Sequence, residues 1–170
     1  MSDVKDRPLV SVVQATPRND RELVIARLIA ASPQALYRCW TEPELLVKWF
    51  APKPLTTEVR EMEVRVGGRQ AIVMKTPDGG EHAAGGVYLE LVPGRRLVFS
   101  DAFRDGWTPG DGTPFMVAEI SFEPQADGRT LYTARVGHWS DEAKARHEAM
   151  GFETGWGICA EQLAEVAAGL

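Results

Sequence analysis

The sequence predicts an α+β fold. A twisted, curved antiparallel sheet of six or seven strands curls around one long C-terminal helix, and two short helices after the first strand close one end. Three observations carry this expectation. Two short helical segments, separated by a fresh start signal, follow the first strand-like run. Six β-rich runs come next, joined by turns with no helical pattern between them, as in an antiparallel meander. The chain then closes on an amphipathic stripe of helical period.

Residues 1–20 read as a flexible N-terminal leader, because Pro8, Pro17 and Asn19-Asp20 oppose regular structure; residues 21–170 read as the folded domain. Inside the leader, Leu9 to Val13 is open to two outcomes, an extra edge strand or packing on a partner. Glu22 to Ala31 has too little polarity for a half-solvated strand and reads as one covered on both faces for much of its length. Ser32-Pro33 ends it and opens a helix, with serine as N-cap and proline at the first helical position. Leu36, Tyr37 and Trp40 share a face of that helix. Thr41-x-x-Glu44 reads as a capping box that starts the second helix, whose Leu45, Leu46 and Trp49 turn inward before Pro52 and Pro54 stop it.

The strand candidates are 56–66, 69–75, 82–91, 96–103, 115–123 and 130–139. Gly67-Gly68, Pro77 to Gly80, Pro93-Gly94, a longer 105–114 loop and Ala126 to Gly128 separate them. Alternation is cleanest where Met116, Ala118, Ile120 and Phe122 face one way and Glu119, Ser121 and Glu123 the other. One sheet face is therefore expected to meet solvent. Ser140 caps the last element, with Asp141 and Glu142 complementing the positive end of its dipole. Phe152, Trp156, Cys159, Leu163 and Val166 form its apolar stripe. Gly151, Gly155 and Gly157 interrupt it, which fits a helix that bends around the sheet, or one that leaves room for a ligand beneath it.

Composition excludes several function classes. The 170 residues are 44% hydrophobic and 25% charged, with 16 Gly and 11 Pro, unlike a disordered or collagen-like chain. With 19 Lys+Arg against 24 Asp+Glu and no basic run, nucleic acid and acidic membrane surfaces are poor partners. Neither a bilayer-spanning stretch nor a secretory signal is legible, so a cytoplasmic location is expected. Cys39 and Cys159 both sit in apolar helical patterns and read as two buried thiols rather than a disulfide. His82, His138 and His147 lack zinc-site spacing, and no G-x-S-x-G, H-E-x-x-H or G-x-G-x-x-G occurs. The 105–114 loop lacks calcium-loop spacing. No metal or cofactor is expected.

Further residues form a pattern beyond composition. Arg27-x-Ile29-x-Ala31-Ser32-x-x-x-Leu36-Tyr37-x-x-Trp40-Thr41-x-Pro43-x-x-Leu46-x-x-Trp49 resembles the opening of START-like, birch-pollen-allergen-like (SRPBCC) domains. It is most similar to the family homologous to the C-terminal domain of the activator of heat shock protein 90 ATPase. Gly67-Gly68-Arg69, Gly86-Val87-Tyr88-Leu89-Glu90, Arg96-Leu97-Val98-Phe99 and Gly151-x-x-x-Gly155-Trp156 extend the resemblance over about residues 22–168. The resemblance implies a helix-grip fold with a cavity between sheet and long helix. It also implies apolar ligands such as lipids, sterols or polyketides, with cyclase-like enzymes among the superfamily members. Eukaryotic activators carry a separate N-terminal domain that a 20-residue leader does not replace, which weakens the expectation of a chaperone partner.

Three functions follow as expectations. The first is a module binding a small apolar or amphipathic ligand. Met74, Phe99, Phe103, Met116, Trp139, Met150, Trp156 and Cys159 are its candidate ligand-binding residues. Trp40, Trp49, Trp107, Phe115 and Phe152 are further aromatics that could equally fill the core. The second is a polyketide cyclase- or hydrolase-like enzyme. No catalytic residue is assigned to it, and the weak candidates for a general base are His138, which ends a strand, and Asp101, which lies among aromatics. The third is an interaction protein, chaperone stimulation included. Homodimerisation through a partly apolar sheet face stays open.

Overall fold

Glu22–Ile29, β2, is a largely apolar strand that carries Glu22 and Arg27 as its charged residues, and its position explains why. In the computed structural model, which describes residues 7–170, β2 lies between the edge strand β1 (Val10–Val13) and β8 (Thr130–His138). The remaining strands are β3 (Thr56–Met62), β4 (Arg69–Lys75), β5 (Glu81–Val92), β6 (Arg96–Ser100) and β7 (Met116–Pro124). They form one antiparallel sheet of eight strands in the order β1-β2-β8-β7-β6-β5-β4-β3. The expected six or seven become eight because Val10 pairs with Ile29 and Val13 with Ala26. Of the two outcomes open for this segment, the edge strand is the one adopted. Residues 1–6 of the expected flexible leader lie outside the described residues.

The meander from β3 to β8 follows the turn signals, with every neighbouring pair antiparallel. In β7, Ala118, Ile120 and Phe122 are buried, and in β8 Thr130, Tyr132, Ala134, Val136 and His138 are buried in strict alternation. The opposite face carries charges in pairs, such as Lys75 with Glu58 at 2.6 Å and Arg96 with Glu119 at 3.1 Å. This is the half-solvated sheet expected from the pattern.

Two helices span the gap between β2 and β3. In α1 (Pro33–Thr41), Ser32 Oγ accepts from the Ala35 amide, as its N-cap role requires. The capping box at Thr41 does not form. Thr41 closes α1 instead, its hydroxyl donating to the Tyr37 carbonyl at 2.9 Å. The reason is Pro43: the residue before a proline is driven out of the helical region, so Glu42 is extended (φ −105°, ψ 119°). Glu42 therefore flanks α2 (Pro43–Leu46) without a side-chain cap, and its carboxylate pairs with Arg38 at 2.6 Å.

The expected single C-terminal helix is two helices, α3 (Asp141–Ala149) and α4 (Phe152–Ala168). Gly151 adopts φ +85°, ψ 42° between them, a left-handed conformation that glycine enters without a Cβ penalty. The Ser140 cap forms as expected. Leu163, Ala164 and Ala160 of α4 lie in the core against the sheet, with Leu36, Trp40 and Leu46 from the helix pair. At Gly157 a Cβ would come within 2.9 Å of the Arg27 guanidinium, so this glycine makes room for an arginine between α4 and β2. Together these elements form the helix grip: a curved sheet closed by α4 on its concave side. No helix among the described residues is long and apolar enough to cross a membrane.

Candidate functional site

Where the concave face, α1 and α4 converge, their side chains stop short of filling the space. A chamber of about 140 Å³ remains, lined by Trp40, Trp49, Phe50, Met74, Ala84, Phe99, Met116, Tyr132, Trp156 and Cys159. Met74, Ala84 and Met116 also line a neighbouring open cleft of about 830 Å³. Leu55, His82, Asp101, Phe115 and Met150 complete the walls of the cleft. No charged side chain lines the chamber, whereas the cleft mixes apolar and ionisable groups.

Six of the eight sequence candidates converge on this space. Phe99, Trp156 and Cys159 stand in the chamber, Met74 and Met116 on the wall it shares with the cleft, and Met150, 71% exposed, at the rim. Phe103 and Trp139 do not join them. Strand β6 ends at Ser100, whose hydroxyl donates to the Met116 carbonyl and accepts from the Ala102 amide, turning the chain away. Phe103 then packs on Trp107 at 5.4 Å and lines a separate groove with Arg60, Arg69 and Arg104. Trp139 lies one residue beyond the end of β8, 43% exposed.

Tyr132, Phe50 and Ala84 were missing from the candidate set. Tyr132 had a signal, since period-two counting places it with Ala134 and Val136 on the inner face. Ala84 has none: it is small, and only the register of β4 with β5 brings it opposite Ile72. Trp40 and Trp49 both pack on each other, at 4.8 Å, and line the chamber. The core-filling and pocket readings thus coincide in them. Burial pushes the Cys39 thiol up to about 11 and the Cys159 thiol up to about 12; both are free.

The two weak catalytic candidates are held by the fold. Asp101 accepts from the Phe115 amide at 2.9 Å and the Met116 amide at 3.1 Å, fixing the start of β7. His138 is buried, its Nδ1 2.8 Å from the Arg21 carbonyl and its Nε2 2.9 Å from His147 Nδ1. A carbonyl only accepts, so His138 carries a proton on Nδ1, and its Nε2 shares a hydrogen bond with His147 Nδ1. Phe115 and Phe152 enclose His147 at 5.1 and 5.0 Å. Burial, then the neighbouring His138, lowers its pKa from 6.5 to about 4.

That shift fixes a pH dependence. The unfolded chain protonates this histidine near 6.5 and the folded chain near 4, so between these values the unfolded state holds more protons. Stability is full above about pH 6.5 and falls as pH drops toward 4, by at most about 1.4 kcal/mol per pH unit. Urea unfolding at pH 4.5, 5.5 and 6.5 should show this slope in the wild type and a flatter one in His147→Gln. Equal slopes would show that His147 is not its source.

Among the described residues no cluster of three or more His, Cys, Asp or Glu side chains is placed to hold a metal ion. Among curated proteins, none matches the chain significantly. Solved structures do. A protein of Nitrosomonas europaea is 36% identical, with 86% of this chain and 94% of that one covered and a TM-score of 0.80. A protein of Chromobacterium violaceum is 31% identical, over 88% and 98% of the two chains, with a TM-score of 0.68. At 23% identity, a Mycobacterium smegmatis protein shares the fold over 92% of this chain and 96% of its own, with a TM-score of 0.76. The family described as Activator of Hsp90 ATPase homolog 1-like protein matches residues 30–168, from the end of β2 to the end of α4, and the chain belongs to that family.

Proposed function

We propose that this protein binds a small apolar or amphipathic molecule, one end in the chamber and the remainder in the cleft. The observation that carries the reading is an apolar chamber that shares the wall residues Met74, Ala84 and Met116 with a larger, partly polar cleft. Ligand sites are commonly concave, mostly apolar and equipped with few polar groups. A cavity of about 150 Å³ holds a benzene-sized group, so the chamber suits a ring or a short branched chain rather than a whole lipid. The cyclase- or hydrolase-like alternative gains no observation, since both ring nitrogens of His138 and the carboxylate of Asp101 serve internal bonds.

Met116→Trp tests the reading, because an indole on the shared wall would fill part of both spaces. Titration with the fluorescent amine N-phenyl-1-naphthylamine should show binding weakened at least about tenfold, the loss of one good anchor. Trp139→Ala, away from both spaces, should leave it within twofold. Unchanged binding in a folded Met116→Trp protein would remove the site from this cavity.

A further inference from the structure

The sheet has two edges, and their sequences differ in kind. At one edge, β3 carries Glu58, Arg60 and Glu61, is tied by ion pairs to Lys75 and Arg69, and bulges between Val59 and Glu61. Charges and bulges are how natural sheets keep an edge from pairing with another chain. At the other edge, β1 keeps a regular register and carries no charge. No charged residue lies between Pro8 and Pro17, in a chain that is 25% charged, and Val12 is 70% exposed.

Register fixes which backbone groups of β1 are free. Val10 lies opposite Ile29, so Leu9 lies opposite Ala30, and the Ala30 amide donates to the Leu9 carbonyl at 3.0 Å. Hydrogen-bonded pairs alternate along an antiparallel ladder, so Leu9, Ser11 and Val13 bond to β2. The far side of β2 agrees. The Arg21 carbonyl, just before β2, accepts from the His138 amide at 3.1 Å, which turns the odd-numbered residues of β2 to β8 and the even-numbered ones to β1. The N–H and C=O groups of Val10 and Val12 therefore point out of the sheet, where no strand among the described residues pairs with them. Pro8 shares this outward parity and has no N–H to offer, which ends the edge.

We propose that this edge pairs with the β1 of a second copy, antiparallel and two-fold symmetric about Ser11. Val10 of each copy then stands opposite Val12 of the other, each pair exchanging both of its N–H···O bonds. The segment complements itself: Leu9 meets Val13, Ser11 meets Ser11, and no charge meets one of like sign. Such an isologous contact closes at two copies, and the guarded β3 edge keeps the joined sheet from growing. The contact is also small. A standard interface uses about 20–30 residues a side, so one confined to Leu9 through Val13 gives a weak, concentration-dependent dimer.

Ser11→Cys in the full-length protein tests the register. Opposed residues not hydrogen-bonded to each other lie about 4.5 Å apart at Cα, inside the span of about 4.4–6.8 Å that a disulfide bridges. Oxidation should give a covalent dimer at least about tenfold faster than Val13→Cys, whose two copies stay about 13 Å apart in this register. The wild type, oxidised alongside, reports any contribution of Cys39 and Cys159. Sedimentation of the wild type should show the mass rising from 18.7 kDa toward twice that value between about 10 μM and about 1 mM. Val12→Pro removes an outward N–H and leaves the β1–β2 ladder whole, so it should hold the monomer mass across that range. A dimer that survives Val12→Pro, with crosslinking no faster at Ser11→Cys than at Val13→Cys, would place the contact elsewhere and overturn the proposal. A monomer mass for the wild type at every concentration would leave the edge to a foreign strand or to none, and overturn it as well.

Discussion

Replacing Gln162 with leucine should lower the unfolding free energy by about 3 kcal/mol, a large effect for a single polar side chain. Gln162 projects from α4 into the segment after α2. Its amide N–H groups donate to the carbonyls of Trp49 at 2.9 Å and Ala51 at 2.8 Å, and its Oε1 accepts from the Lys53 amide at 3.0 Å. One buried side chain thereby satisfies three backbone groups in a stretch with no sheet or helix partners of its own. Leucine preserves volume but strands all three, each worth about 1 kcal/mol or more when left unmet. The same segment carries Trp49 and Phe50 into the chamber wall, so probe binding should weaken along with stability. Urea unfolding that shows a loss below 1 kcal/mol would mean that water takes over these bonds.

Gly85→Ala should be still more damaging, costing about 4 kcal/mol or preventing folding. Gly85 has φ +115°, and a Cβ built there would meet the Gln70 carbonyl oxygen at 2.0 Å. The neighbour is backbone of the adjacent strand, so relief requires β4 and β5 to separate. Gly128→Ala separates conformational strain from this clash. Gly128 also has a positive φ, +88°, but nothing lies within 4 Å of its would-be Cβ. It should cost only about 1 kcal/mol. Similar losses in the two variants would show that the close approach of the strands is not the cause.

The meander was legible because each of its strands announces itself locally: turn residues at the ends, alternation between them. The Ser32 and Ser140 caps were legible for the same reason. The site was legible only in part. Met116 and Trp156 could be placed by counting along one strand and one helix, whereas Phe103 could not. Its strand ends at Ser100 through bonds to Met116 and Ala102, and the Met116 bond depends on the pairing of β6 with β7. Thr41-x-x-Glu44 misled because the restriction that Pro43 imposes on Glu42 outweighs a capping pattern. The one long helix became two because a single left-handed glycine ends α3, where a bend alone had been read. Gln162 gave no signal, being a polar residue in an amphipathic helix whose partners lie more than one hundred positions away. His147 was likewise silent until the end of β8 brought His138 against it.

The strand order has a consequence for how the protein is made. Strands β4 to β8 each pair with the strand that precedes them, so they can assemble in the order in which they leave the ribosome. Strand β2 has only the short edge strand β1 as an early neighbour. Its other partner is β8, with Glu22 opposite Gly137 and Ile29 opposite Thr130. At a synthesis rate of roughly 5–20 residues per second, β2 waits about 5–20 s for β8 to appear. During that interval a largely apolar strand is unprotected on one side, and α1 and α2 have neither the finished sheet nor α4 to cover them. Residues 130–170 thus complete the pairing of β2, and a ribosome that stalls before residue 130 displays an apolar ribbon waiting for its partner.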